Sequence, residues 1–273
     1  MSTPARALHD LLEPVHLVTY FSEEPTAQLE RLGLRGYWDG YMAGRAAPLG
    51  TASAAVVHAA FYNFFPGEVA RHVPRVWRVT TPEEALRARQ DGAVLALRRI
   101  LGPLADSPGL AEAADLATAA AAGAPVEGRV LSAALQALPA PQEPVARLWH
   151  AATVLREHRG DGHHAALVAH DVRGPEAHLL LWASLGHSPR TFGRVHHRPA
   201  RDLDPLIARL QGAGLLDEHE RITDCGLALR ASVEEATDAA ARPAYDALGE
   251  AGVARLVETM APITTRLLET GSR

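Results

Sequence analysis

Apolar residues recur at intervals of three and four along most of the chain. Examples are "EEALRARQDGAVLALRRILG" from Glu83 and "DLDPLIARLQGAGLL" from Asp202. Strictly alternating stretches are short and few, so the pattern predicts a mainly α protein. Helix starts are marked by Thr81 in "TPEE", Thr51 in "TASAA" and the "ARDLD" stretch near Asp202, where a capping side chain precedes acidic or apolar first-turn residues. Stops fall at Gly102, at Gly214 and in the Pro-rich "LPAPQEP" from Leu138 to Pro144, which serves as the linker between an N-terminal unit, 1–139, and a C-terminal unit, 144–273.

The two units share an internal pattern. At a constant offset of 111 residues, Trp38 falls on Trp149, Arg45 on Arg156, "AAVV" at Ala54 on "AALV" at Ala165, and "LALRR" at Leu95 on "LIARL" at Leu206. The alignment is gapped, and alanine-rich helices also match one another by composition. A duplication predicts two related halves packed against each other.

From Leu203 to about Pro262 the chain resembles the recognition helix, wing and C-terminal helices of MarR-type winged-helix regulators. The residues that carry the likeness are "LIARLQGAGLLDEHERITDCGLALRASVEEATD": an arginine-bearing helix ending in Gly-Leu, a short hairpin, then Ile-Thr-x-x-Gly opening a long helix. As a whole the chain resembles an actinobacterial family of MarR-related tandem winged-helix proteins, in the order of "EPVHLVTYF", "GYWDGYMAGRAAPLG", "FYNFFP" and "LWHAATVLREHRGDGH". The resemblance implies two degenerate winged-helix (helix-turn-helix) repeats packed as an intramolecular pseudo-dimer. It also implies a small-molecule pocket between the dimer-forming and DNA-binding parts. The wing departs from the family pattern, because Asp217, Glu218 and Glu220 occupy its tip against a single Arg221, and Asp202 and Asp204 open the preceding helix, from which Arg209 is expected to point outward. Carboxylates there would repel phosphates, so DNA contact is disfavoured.

Composition sharpens this only in places. All 27 basic residues are arginine, a compositional bias with no functional content, and the formal charge of −5 does not suit a polyanion partner. One cysteine, Cys225, excludes an internal disulfide and a thiolate-rich zinc site, and is expected to be structural. With no apolar leader and no apolar run of membrane-spanning length, the chain reads as a cytoplasmic monomer or homodimer with no membrane partner. The basic stretch "VHHRPARD" from Val195 is the remaining argument for an anionic partner, and is too short to hold DNA.

The candidate chemistry centres on "LREHRGDGHH", Leu155–His164, in which nine of ten residues are charged, imidazole or glycine. A helix is predicted to run from Glu143 to about His158, with Trp149 and Arg156 on one face and His150 near His158, followed by a loop over Gly160 and Gly162. One alternative is a solvated turn in which Asp161 caps the next helix. A second is a ligand or catalytic site, with Arg156 or Arg159 clamping a small carboxylate or phosphate while His158 or His163, with Asp161, moves a proton. A third is a metal site on His158, Asp161 and His163, or ligation of haem by one histidine, for neither of which a specific motif is present. The first half adds His16 and Tyr20 one turn apart, Arg45, and Tyr62 and Asn63 among phenylalanines, either as an aromatic core or as a pocket wall. Gly-rich phosphate loops and a Gly-x-Ser-x-Gly elbow are absent. The expectation is therefore a ligand-binding protein or enzyme with a histidine-rich pocket, the alternatives being a MarR-type regulator and a metal or haem enzyme.

Overall fold

A computed structural model describes residues 3–191 and 198–271. The protein is mainly helical, as the periodicity predicts, and among the described residues it contains no strand beyond one isolated antiparallel bridge, Leu216 with Ile222. Its α-helices are α1 (Pro4–Phe21), α2 (Glu23–Arg31), α3 (Gly36–Ala46), α4 (Ala54–Phe61), α5 (Pro82–Leu101), α6 (Pro108–Gly123), α7 (Val130–Gln136), α8 (Pro144–Ala169), α9 (Gly174–Ser184), α10 (Ala200–Gly212), α11 (Asp224–Ala241) and α12 (Gly249–Gly271).

Several boundaries follow local chemistry. Thr81 caps α5 in a reciprocal box, its hydroxyl accepting from the Glu84 amide while the Glu84 carboxylate accepts from the Thr81 amide. Gly102, at φ 55°, ends the same helix. The cap of α4 is Ser53, two residues beyond the expected Thr51, and α10 starts at Ala200, so that Asp202 lies in its first turn. The connection 137–143 carries no helix, in keeping with its prolines.

The largest core joins both sides of that connection. Leu8 and Leu12 of α1, Leu97 of α5, Ala117 of α6, Trp149 of α8, and Leu256 and Met260 of α12 belong to one buried cluster. A second cluster lies under α3 and α4 (Met42, Phe61, Phe64), and a third in the C-terminal half (Leu167, Leu179, Leu203, Ile207, Val233).

In the C-terminal half α9, α10, the hairpin bridged at Leu216 and Ile222, and α11 follow one another. Thr223 caps α11 by accepting from the Gly226 amide, and a Cβ at Gly226 would lie 2.4 Å from the Leu215 carbonyl oxygen, which explains the glycine of Ile-Thr-x-x-Gly. At the 111 offset the hairpin's counterpart is Ala105–Ala111, which forms no hairpin. Ser107 caps α6 and Pro108 occupies its first position, so the chain passes straight into the helix.

The largest correction concerns α8. The predicted loop after His158 does not exist, because α8 runs unbroken through Gly160 and Gly162 to Ala169. The aligned stretch in the first half is the one that breaks, between α3 and α4, at Gly50 with φ 63°. The side chains of "REHRGDGHH" explain why it stays helical, since Glu157 is bonded by Arg45 of α3, Asp161 by the Ser132 amide of α7, and Arg159 and His163 by side chains of α11. Neither glycine makes a turn, and Gly162 serves close packing. A Cβ at Gly162 would lie 2.7 Å from an Arg129 guanidinium nitrogen and 3.2 Å from Ala240. Among the described residues no helix is long and apolar enough to cross a membrane.

Candidate functional site

A cleft of about 610 Å³ opens where α1, α3 and the end of α4 face α8 and α9. One wall is aromatic, with Tyr37, Trp38 and Tyr41 of α3 and Phe64 beyond α4. Trp38 and Tyr41 meet edge to face with ring centres 5.5 Å apart, and Tyr37 and Trp38 remain 42% and 37% exposed. The opposite wall carries Arg156, Arg159, His163 and His164 of α8 and His178 of α9, and Arg45 and Asn63 complete the lining.

Beneath it lies a buried ion cluster. Arg45 grips Glu157 with two nitrogens, Nε to Oε1 at 3.1 Å and Nη2 to Oε2 at 3.0 Å, while its Nη1 donates to the Tyr41 hydroxyl at 3.0 Å. Arg156 donates Nη1 to Glu157 Oε1 at 2.9 Å. Burial alone would raise the Glu157 pKa, but the guanidinium groups of Arg45 and Arg156 outweigh it and hold the carboxyl well below its usual range. Arg156 spends one nitrogen in this way, and no partner for its Nε and Nη2 is found among the described residues, so it faces the cleft with donors to spare.

His16 lies behind the cluster, fully buried. Thr153 donates its own proton to the Trp149 carbonyl, so its oxygen accepts from His16 Nδ1 at 3.0 Å, leaving Nε2 as a buried lone-pair nitrogen without a partner among the described residues. Burial, reinforced by the charges of Arg156 and Arg89, keeps this ring neutral. Tyr20 packs on His16 and Tyr41, with ring centres 5.2 Å away in each case.

His163 is set by the same logic. Thr237 gives its proton to the Val233 carbonyl, so it accepts from His163 Nδ1 at 3.0 Å, and the lone pair of the neutral ring falls on Nε2. Burial lowers the His163 pKa, and burial aided by Arg45 pushes His164 down to about 3. Arg159 is tied at 2.9 Å to both Glu234 and Asp238, which Arg6 also engages. Although burial opposes it, this bonding holds Glu234 at about 2.

Of the residues singled out in the sequence, Arg45, Arg156, Arg159, Asn63 and His163 therefore meet at the cleft, with His16 and Tyr20 behind it. The other four lie elsewhere. His158 and Asp161 sit one turn apart on the face of α8 turned to α7. Asp161 accepts from the Ser132 amide at 3.0 Å, burial raising its pKa to about 6, while burial and Arg129 lower His158 to about 4. His150 is half-buried, and its pKa is lowered by burial and by Arg89. Tyr62 donates to the Val172 carbonyl at 2.5 Å, stacks on His164 and lines a separate groove with His58, Phe65 and Arg198.

The acid–base trio of His158, Asp161 and His163 is accordingly split. A spacing of five residues puts His163 about 140° around the helix from His158. The metal alternative fails for the same reason, since no three His, Cys, Asp or Glu side chains among the described residues are grouped to hold an ion. Cys225 is exposed.

Tyr37 and Tyr41, which the helical spacing of "GYWDGYMAGR" puts on a near-common face with Arg45 as aromatic core or pocket wall, line the cleft, whereas sequence reasoning missed Glu157, Trp38, His9, His178 and Arg89. Arg89 alone carried a signal, standing on the small-residue face of α5 with Ala85, Ala88, Gly92 and Ala96. The others lay in stretches whose roles depend on long-range partners.

The surface of α9, α10 and the hairpin also differs from expectation. Arg209 does not project outward. It pairs with Glu176 at 2.6 Å and Asp171 at 3.1 Å. Arg190 bonds Glu220 and Asp204, and Arg221 bonds Asp217. Of "VHHRPARD", Val195, His196 and His197 lie outside the described residues, and Arg198 pairs with Glu68 at 3.3 Å.

No curated protein and no solved structure gives a significant match to the chain. A model of a helix-turn-helix family matches residues 5–272. Because that match spans nearly the whole sequence, the protein belongs to this helix-turn-helix family.

Proposed function

We propose that the protein is a small-molecule-binding member of its family, whose cleft takes a compact planar anion such as an aromatic carboxylate. The observation that carries this is Arg156, a cation held in place by Glu157 with its remaining donors turned to a cleft walled by Tyr37, Trp38, Tyr41 and Phe64. The rings supply a flat apolar surface and the guanidinium a fork for the carboxylate. His163 offers a neutral imidazole as acceptor for a ligand hydroxyl, or as a base if a reaction follows. The MarR kinship and the pseudo-dimer belong to the same proposal. In their support, Arg45 and Arg156, equivalent at the 111 offset, converge on the single carboxylate of Glu157.

Thermal unfolding and tryptophan fluorescence in the presence of benzoate and its hydroxylated relatives test this. Saturable stabilisation with a change in Trp38 emission is expected, and it should vanish in Arg156→Ala. An equal response in that variant would sink the assignment.

DNA regulation remains the second reading, favoured by the family and by the α9, α10, hairpin, α11 order. Against it, Arg190, Arg209 and Arg221 are each neutralised by carboxylates of this region. A gel shift on the gene's own upstream DNA at low salt decides between them, the proposal requiring no shift.

A further inference from the structure

Behind the cleft, separated from it by Tyr37, Tyr41 and Arg45, is a chamber of about 20 Å³, also lined by Thr19, Tyr20 and Arg89. Arg89 is 2% exposed, yet among the described residues no carboxylate pairs with it. Its Nε has no partner, its Nη2 reaches the Tyr20 hydroxyl at a long 3.4 Å, and its guanidinium lies 5.4 Å from the Trp149 ring centre. Glu157 is already shared by Arg45 and Arg156, and Glu30, at the chamber's edge, is exposed and ion-paired with no arginine among the described residues. One buried positive charge is therefore left over. A desolvated, uncompensated charge of this kind is strongly disfavoured.

The hydroxyls around the chamber share one property. Tyr41 accepts from Arg45, Tyr20 accepts from Arg89, and Thr19 accepts from the Trp149 indole nitrogen at 2.9 Å. Each oxygen is spent as an acceptor, and none has an acceptor for its own proton among the described residues. The inner lining thus presents the guanidinium groups of Arg89 and of the Glu157-paired Arg45 together with three hydroxyl protons, while Thr26 and the exposed carboxylate of Glu30 complete it, so that only Arg89 is left without an anionic partner among the described residues. Gly40 and Gly44 of α3 leave the space open, since a Cβ at Gly44 would press on Arg89 Cδ at 3.3 Å. The volume suits one or two atoms the size of water and excludes an organic ligand.

We propose that this chamber binds one monatomic monovalent anion of the halide class, chloride above all, held by Arg89 and Arg45 and by the hydroxyls of Tyr20, Tyr41 and Thr19. The anion neutralises the surplus charge and fixes the Tyr41–Arg45 wall from behind. The site stands whether or not the cleft takes an organic ligand.

The test is thermal unfolding of the full chain, prepared free of halide, with chloride titrated against gluconate at constant ionic strength, alongside the ³⁵Cl NMR line width. The unfolding midpoint should rise with the logarithm of chloride concentration, by roughly 2–3 °C per tenfold increase above the dissociation constant, and the protein should broaden the chloride resonance. Arg89→Met removes the surplus charge at similar volume, so it should fold without halide and lose both responses. Tyr20→Phe, which deletes one donor, should weaken chloride binding several-fold and serves if the methionine variant fails to fold. Equal behaviour in chloride and gluconate, or an unchanged chloride response in either variant, would overturn the proposal.

Discussion

Glu157 holds two arginines with one carboxylate. In Glu157→Gln the buried Arg45 would keep its charge and lose its counter-ion, a loss of about 3–5 kcal/mol in stability measured by urea denaturation. The buried imidazoles set the acid limit. His158 and His164 fall from the ordinary 6.5 to about 4 and about 3, and His16 is lowered as well, so each is neutral in the folded protein and takes up its proton more readily when unfolded. Their contribution is complete above pH 6.5 and declines as pH falls toward the folded values, by up to about 1.4 kcal/mol per pH unit for each ring. Asp161 has the opposite sign. Its pKa is raised from 3.8 to about 6, so protonation favours the folded state and offsets part of that loss between pH 6 and 4, whereas above pH 6 the buried carboxylate is a burden. Urea midpoints should therefore be lower at pH 5 than at pH 7. Asp161→Asn, which keeps an acceptor for the Ser132 amide, should be more stable than the parent at pH 8 by about 2 kcal/mol.

At the scale of elements, α8 and its glycines make contrasting demands. Gly160 is interior to a helix, and a Cβ there meets nothing closer than Glu157 Oε2 at 3.6 Å. Gly160→Ala should therefore raise stability by roughly 0.5–1 kcal/mol, an outcome incompatible with a loop at this point. Gly174, at the first position of α9, behaves differently, since a Cβ there would lie 1.9 Å from the Tyr62 carbonyl oxygen, a backbone atom that cannot swing aside. Gly174→Ala should cost about 1–3 kcal/mol in thermal or urea unfolding, by forcing α4 and α9 apart. Both helices border the cleft, so the same variant should weaken ligand stabilisation. The alternating roles explain why "GDG" was misread. Glycine favours turns when nothing else is known, and the contacts of Arg129 and Ala240 against Gly162 are visible only after folding.

The whole molecule should unfold as one cooperative unit, because its largest core draws on both halves. Leu8, Leu97, Trp149 and Met260 lie in the same cluster although they come from both sides of the 137–143 connection. Fragments 1–139 and 144–273 produced separately should lack cooperative unfolding and aggregate, and mixing them should restore a melting transition. Two independently melting fragments would contradict the shared core. The helical class, the Thr81 box, the irregular connection and the α10 to α11 segment were legible in the sequence, because periodicity, caps and prolines act within a few residues. The same holds for the aromatic and arginine content of "GYWDGYMAGR", half of the cleft. What folding alone decided was the partnership of charges. Arg45 finds Glu157, Arg159 finds Glu234 and Asp238, and Arg89 finds no carboxylate among the described residues, across separations that no local pattern encodes. A charged residue's role depends on whether burial strips its water and what then faces it. So "REHRGDGHH", whose glycines suggest a loop in one dimension, is continuous helix in three, with Glu157, His158, Asp161 and Gly162 buried.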